Sequence, residues 1–194
     1  MASWRKWILG GLGWAVGGPI GGVVGFALGS IGEEAAKNYI PETNPFIDRA
    51  QPSYILPNDF SAALMVLCAA VMRADQKLMR SELDYVKDFF VRTFGKAHTQ
   101  ERMSLFREIL KQEIPISSVC QQIRNNIDHA GRLQMLHLLF GLAASDGEVS
   151  YDELAVIERI ATLTGISGKD FLSIKAMFEK GPEAAIAEIN RGLD

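Results

Sequence analysis

The sequence has few of the residues on which disulfide scaffolds, metal centres and nucleophilic enzymes depend. Its 194 residues include only two cysteines, Cys68 and Cys120, and three histidines. Two cysteines cannot form a disulfide framework, nor a zinc site of clustered cysteines and histidines. The chain has no nucleophile elbow, P-loop or zincin motif. We therefore expect no catalytic residues, no cofactor-binding residues, and a protein that is not an enzyme.

The histidines, cysteines and basic residues are also poorly placed for metal binding, catalysis or nucleic-acid binding. His129 and His137 lie eight residues apart, about two helical turns, which is too far for them to share a metal directly. Cys68 and Cys120 fall on apolar helix faces and are interpreted as core thiols. The formal net charge is −3 and the basic residues form no stripe, so we expect no nucleic-acid partner.

Acidic residues are absent from residues 1–31, which nevertheless hold nine of the 18 glycines and all three tryptophans. No charged residue occurs from Trp7 to Ile31, a stretch of 25 residues. As a helix it would measure about 37 Å, enough to cross a hydrocarbon core of about 30 Å. Tryptophans near one end suit an interfacial anchor. These features predict a membrane segment at residues 1–31, with the lipid membrane as a partner.

The glycines of this segment are periodic. They recur every four residues and form one stripe on a helix, at Gly13, Gly17, Gly21, Gly25 and Gly29. A stripe without side chains lets a second helix approach closely, which favours helix association in lipid. We therefore predict a homo-oligomer that forms through this stripe.

The form of the segment has more than one interpretation. Gly17-Gly18-Pro19 is a plausible break that would turn a single span into a hairpin of two half-spans. A cleaved signal peptide and a flexible glycine-rich head are the other readings. A single span with Arg5 and Lys6 before it would place the main domain outside, whereas a hairpin keeps both ends inside. We expect an inner-membrane protein with a cytoplasmic main domain.

The remaining sequence predicts an all-α protein in three further parts. Four of the seven prolines lie in an extended linker over residues 32–58. Apolar residues then recur at three- and four-residue steps through a helical domain, residues 59–180, and a short helix or linker follows at 181–194. Capping residues and glycines divide the domain into helices near 59–74, 80–94, 99–112, 116–126, 129–145, 150–164 and 168–179, with a last one from Pro182.

The chain repeats itself at an offset of about 71 residues. Ala74-Asp75-Gln76-Lys77-Leu78 aligns with Ser145-Asp146-Gly147-Glu148-Val149, and a glutamate follows each aspartate by seven residues. Each copy is an apolar helix, an acidic turn and a second helix. We expect the two copies to pack about an internal two-fold axis, because one helical hairpin alone buries too little apolar surface.

The acidic residues of the two turns have two interpretations. The spacing excludes an EF-hand, because Tyr151 and Ile157 would occupy the positions of its glycine and its bidentate glutamate. Helix capping explains the second copy well, since Ser150 and Glu153 form a capping box. The alternative is a site for a divalent cation or a basic partner, with Asp146, Glu148 and Glu153 as its residues and Asp75 and Glu82 as their counterparts in the first copy.

Residues 59–179 resemble the TerB-like domain of tellurite-resistance proteins. The resemblance rests on the paired hairpins with the pattern Ala/Ser-Asp-x-x-(Val/Leu)-x-x-x-Glu-Leu. It implies a helical bundle of seven to eight helices with a two-fold repeat. It also implies a non-enzymatic module in a stress response, or one that responds to tellurite or a metal ion.

The run from Trp7 to Gly22 is similar to the glycine-rich leader of the DjlA-type membrane-anchored DnaJ-like proteins. That similarity implies a membrane-tethered adaptor with a protein partner in a chaperone system. The J-domain of those proteins requires a His-Pro-Asp tripeptide, which these 194 residues lack. A co-chaperone role therefore cannot rest on residues of this chain.

Overall fold

The computed structural model describes residues 3–31, 60–75, 77–147 and 149–179, and this part of the chain is helical without a strand. The all-α prediction is confirmed. A 3-10 turn, Ala144–Asp146, joins the sixth and seventh of the eight α-helices found there. They are α1 (Ser3–Ser30), α2 (Phe60–Met72), α3 (Arg80–Phe94), α4 (Lys96–Ile109), α5 (Ile116–Asn126), α6 (His129–Ala143), α7 (Tyr151–Thr164) and α8 (Gly168–Glu179).

Helix α2 is the centre of the bundle. It carries no charged residue, and every residue from Ser61 to Met72 is buried. A helix that is apolar on all sides must be covered on all sides, and α1, α4, α5, α6 and α7 surround this one. Because α2 and α6 are the first helices of the two repeats, their contact joins the copies through the core.

The helix ends follow the local capping chemistry of the sequence. The Asp128 carboxylate accepts a hydrogen bond from the Gly131 amide at 2.8 Å, and Ser150 caps α7. Ser167 accepts from the amide of Asp170 at 3.1 Å and so caps α8. Gly165 ends α7 in the left-handed conformation, with φ 75°. Such bonds satisfy backbone groups that a helix leaves without internal partners.

The helices predicted at 99–112 and 129–145 have other bounds in the structure. The helix predicted at 99–112 is α4, which begins and ends three residues earlier, because Gly95 at φ 80° lies between α3 and α4 as the only residue separating them. The helix predicted at 129–145 ends at Ala143 and continues as the 3-10 turn, which closes at Gly147 with φ 98°. The linker at 32–58 and the segment at 181–194 lie outside the described residues.

Helix α1 is a hairpin and not one straight rod. Gly18 has φ 61° and ψ −158°, which is not helical, and Pro19 follows it. A positive φ favours glycine, and proline cannot continue the preceding hydrogen-bond ladder. The break divides α1 into an outer arm, residues 3–17, and an inner arm, residues 19–30. The break expected at Gly17-Gly18-Pro19 is therefore present in the structure.

Candidate functional site

The glycine stripe forms the seam between the two arms. A Cβ atom added to Gly13 would overlap the carbonyl oxygen of Gly21, and one added to Gly21 would overlap the carbonyl oxygen of Gly13. A Cβ on Gly25 would meet the Leu9 carbonyl. One on Gly29 would lie 2.5 Å from the Lys6 Cα. The backbones therefore approach so closely that only glycine fits along the seam.

These close contacts are made within one chain. Four of the five stripe glycines face the opposite arm, and the fifth, Gly17, lies at the turn. The spacing of the glycines is thus accounted for by the hairpin itself. Association of two copies through the stripe stays a prediction.

Aromatic and cationic contacts support one edge of the seam. The rings of Trp7 and Phe26 meet edge to face with their centroids 5.5 Å apart. The Lys6 ammonium lies 5.4 Å from the centroid of the same Phe26 ring, within the range of a cation–π interaction. Lys6 therefore has a specific place at the end of the hairpin.

The inner arm belongs to the core of the helical body. Helix α1 as a whole contacts α2, α4 and α5, and the inner arm also closes against the outer arm. Its buried apolar side chains are Ile20, Val23, Val24, Ala27 and Leu28. Removing this arm would expose the side of α2 that it covers.

Two glutamines of the body bind the hairpin backbone. Gln122 on α5 accepts a hydrogen bond from the Ile20 amide at 3.0 Å and donates one to the Gly17 carbonyl at 2.9 Å. The Gln112 amide donates to the Val23 carbonyl at 3.1 Å. Gly17 and Ile20 flank the break, where the helical ladder cannot supply partners for their backbone groups. No sequence pattern marked these glutamines, because amide side chains outside the core are common.

The outer arm presents an apolar face to solvent. Trp7 and Val16 keep 69% and 81% of their surface exposed, and Ile8, Leu12 and Trp14 are also exposed. With 100° between successive residues, this face covers about half of the helix circumference. From Trp7 to Val16 this face carries no charged residue. An exposed apolar face of this extent is typical of an interaction surface.

Within the described residues, Lys6–Ser30 is the stretch that is long and apolar enough to cross a membrane, judged by length and composition alone. A core helix of a soluble protein or a signal sequence passes the same test, and a third of the most apolar window is buried. In the structure this stretch turns back on itself at Gly18 and forms two shorter helices.

The repeat brings two of the predicted acidic residues together. Glu82 on α3 and Glu153 on α7 occupy equivalent positions in the two copies, and their side chains are hydrogen-bonded to each other. Each is buried, with 3% and 6% of its surface exposed, respectively. Each carboxylate also accepts a bond from its own helix start, Glu82 from the Met79 amide at 2.8 Å and Glu153 from the Ser150 amide at 2.9 Å. Glu82 and Glu153 therefore each cap a helix and also pair with each other.

Burial raises the pKa of Glu82 to about 7. The Met79 hydrogen bond opposes this rise, while the charges of Glu153 and Asp75 and the bond to Glu153 add to it. Two carboxyl groups can share a hydrogen bond only when one of them holds a proton. The Glu82 carboxyl therefore binds a proton near neutral pH and shares it with Glu153.

Of the other predicted acidic residues, Asp75 lies near enough to Glu82 to raise its pKa. Asp75 accepts a hydrogen bond from the Lys77 amide at 2.9 Å and closes the first turn, whereas Asp146 is exposed on the second. Glu148 lies outside the described residues. Among the side chains that the structure does describe, no three of His, Cys, Asp and Glu gather as metal ligands would.

Both cysteines, together with His129 and His137, have structural surroundings. Cys68 and Cys120 are buried thiols, and burial raises the pKa of each to about 12. They are core residues, as expected. His129 lies 3.6 Å from the Asp170 carboxylate, and the His137 ring packs against Phe178 with centroids 4.9 Å apart.

Comparison with known families identifies the helical body. The family model for tellurite resistance protein TerB matches residues 61–176. No curated protein and no solved structure matches the chain. The matched residues begin at α2, so the hairpin lies outside the match although its inner arm shares the core. Since the match covers more than half of the sequence, this protein belongs to the TerB family.

Proposed function

We propose that this protein is a membrane-tethered, non-enzymatic TerB module that acts as an adaptor in a stress response linked to tellurite resistance. The observation that carries the proposal is the asymmetric hairpin. Its inner arm is fixed in the TerB body, and its outer arm presents Trp7, Leu12 and Val16 to the surroundings. A body with a built-in apolar arm is suited to holding partners at a membrane. The body then lies on the cytoplasmic side of the inner membrane.

The surroundings of the cysteines and of the paired glutamates support a non-enzymatic role. The buried thiols of Cys68 and Cys120 have raised pKa values, so they are poor nucleophiles at neutral pH. The paired carboxyl groups of Glu82 and Glu153 are buried and serve as helix caps. An adaptor needs neither a nucleophile nor a general acid. Its protein partner, in a chaperone system or another stress pathway, would bind the body.

The tether and the stress role are tested together in cells that lack the chromosomal gene. The full chain and a variant with Trp7→Ser, Leu12→Ser and Val16→Ser are expressed at equal level. We expect the natural chain in the membrane fraction and restored survival on tellurite, and both lost in the variant. A variant with Leu172→Ser and Met177→Ser, which removes exposed apolar side chains from α8, is the control. Survival that is equal in all three would contradict the tethered adaptor.

A second candidate is a protein that responds to a metal ion or to tellurite through its acidic turns. The observation that favours it is the meeting of Glu82 and Glu153, with Asp75 near enough to raise the pKa of Glu82. A hard cation would take these oxygens in their ionised form. Binding should therefore strengthen above pH 7, where the shared proton is lost.

Calorimetry of the full chain with calcium, magnesium and zinc tests this candidate. We expect binding heat at pH 8 that falls at pH 6, and none in a variant with Glu82→Gln and Glu153→Gln. The amides keep the size of the side chains and can still accept the capping bonds. Absence of heat in the natural chain at both pH values would leave capping as the role of these residues.

A further inference from the structure

We propose that the outer arm lies flat in the headgroup region of an anionic bilayer, and that α1 does not cross the membrane. This inference rests on the membrane tether proposed above. It specifies that the apolar face of the outer arm binds the lipid surface.

The first argument is that the inner arm is not free to enter the membrane. Val24 and Ile20 each keep 2% of their surface exposed, and Ala27 none. Gln122 holds both sides of the break, and Gln112 holds the arm at Val23. Unfolding the hairpin into one span would remove these contacts and open the side of α2 that the arm covers. A span of about 20 residues is therefore available only at the expense of the core.

The second argument is the length and shape of the outer arm. Its 15 residues measure about 22 Å, less than the roughly 30 Å of a hydrocarbon core. Its apolar residues occupy one broad side, and the opposite side is closed by the inner arm through Gly13. A helix with one apolar side suits the plane of the interface, where tryptophans such as Trp7 and Trp14 are favoured.

The third argument is charge. Residues 1–31 contain Arg5 and Lys6 and no acidic residue, so this part of the chain is positive while the whole chain is −3. Lys6 lies at the end of the hairpin, over the Phe26 ring. Anionic lipid attracts such a segment and repels the acidic remainder of the body. Charge therefore favours the arm as the side that meets the bilayer.

The surroundings of the arm extend the surface. A groove of about 630 Å³ runs beside it, and its lining includes Trp7, Trp14, Val23, Phe26, Ile114 and Glu113. At the tip of the hairpin a second groove is lined by Val16, Pro19 and uncharged polar side chains of α5, among them Gln121 and Asn125. An apolar groove beside the arm gives part of an acyl chain a place, and uncharged amides at the tip suit the headgroup layer.

Vesicle flotation is the first test, with the full chain and vesicles of phosphatidylcholine that contain phosphatidylglycerol. We expect the natural chain to float and the variant with Trp7→Ser, Leu12→Ser and Val16→Ser to lose binding by at least about tenfold. The variant with Leu172→Ser and Met177→Ser should float as the natural chain does. Circular dichroism checks that all three are folded. A chain that fails to float, or one that instead forms a dimer in buffer through this arm, overturns both the tether and the inference.

The depth of the tryptophans is the second test and separates the two proposals. Two variants each keep one tryptophan, Trp7 or Trp14, with phenylalanine at the other two positions, including Trp4. Lipids with a quencher at shallow or deep acyl positions then report the depth of each ring. A flat arm places both at one shallow depth. A crossing or upright arm separates seven residues by about 10 Å in depth. That result, with flotation intact, would overturn the flat arm and leave the tether standing.

Discussion

The two arms of the hairpin are built from the same materials and have opposite surroundings. Both are rich in glycine and apolar residues, and neither contains an acidic residue. Yet Val24 of the inner arm is 2% exposed, whereas Val16 of the outer arm is 81% exposed. Composition and periodicity describe a helix surface, but they do not say what covers it. The inner arm is part of the core of the helical body, and the outer arm is exposed to solvent.

The largest effect should come from placing a charge in each arm in turn. We expect Val24→Asp to lower the free energy of unfolding by about 3–5 kcal/mol, because it buries an unpaired carboxylate in the core. Val16→Asp should change it by no more than about 0.5 kcal/mol, since that side chain is in water. Urea unfolding of the full chain measures both. Equal losses for the two variants would break the comparison.

The pH dependence of the free energy of unfolding tests the carboxyl pair without involving the hairpin. The folded pKa of Glu82 is about 7 against an ordinary value of 4.5, so the folded state binds more protons between these values. The free energy of unfolding should therefore fall as pH rises from about 4.5 to 7, by up to about 3 kcal/mol, and then level off.

Glu82→Gln is the control for this pH dependence, because an amide can donate to Glu153 at every pH. The difference in stability between the natural chain and Glu82→Gln should grow from pH 4.5 to 7 in favour of the variant. The arms contain no acidic residue or histidine. Val16→Asp should therefore keep the pH dependence of the natural chain at pH values above the titration of its new carboxylate. A natural chain whose stability follows Glu82→Gln at all pH values would refute the shared proton.

A single methyl group tests the seam between the arms. Gly21→Ala places a Cβ against the Gly13 backbone, and we expect a loss of about 1–3 kcal/mol in the free energy of unfolding. Gly11 lies on the exposed side of the outer arm with no atom near its added Cβ. Gly11→Ala should therefore be neutral or stabilise by up to about 1 kcal/mol through helix propensity. A larger loss in the free energy of unfolding for Gly11→Ala than for Gly21→Ala would show that the arms are apart.

The smallest effect should come from the hydrogen bonds at the hairpin turn. Gln122→Ala leaves the Ile20 amide and the Gly17 carbonyl without these partners, and we expect a cost of about 1–2 kcal/mol. Hydrogen exchange should quicken in residues 17–20. The exposed neighbour Gln121 provides the matched variant Gln121→Ala, which should leave both stability and exchange unchanged. Equal behaviour of the two would mean that Gln122 does not hold the hairpin.

The sequence allowed prediction of what depends on neighbours in the chain. The Ser150 cap, the Gly165 helix end and the repeat that relates Glu82 to Glu153 were all predictable, because capping and periodicity are local properties. The glycine stripe predicted a close approach of helices. It could not identify the partner, because that choice depends on one positive φ at Gly18.

Contacts between distant residues were not predictable in the same way. Gln122 lies more than 100 residues from the turn that it binds, and nothing in its own helix distinguishes it from Gln121. The repeat made Glu82 and Glu153 equivalent, but equivalence does not imply contact. Their meeting depends on how α2 and α6 pack in the core, which only the folded chain reveals.

Cysteine accessibility tests the asymmetry of the arms most directly. Single variants Val16→Cys and Val24→Cys of the full chain are treated in detergent-free buffer with a membrane-impermeant maleimide, and the buried Cys68 and Cys120 serve as the internal background. We predict rapid labelling at residue 16 and labelling at residue 24 only after denaturant is added. Equal labelling of the two positions in the folded protein would contradict an inner arm in the core and an outer arm in solvent.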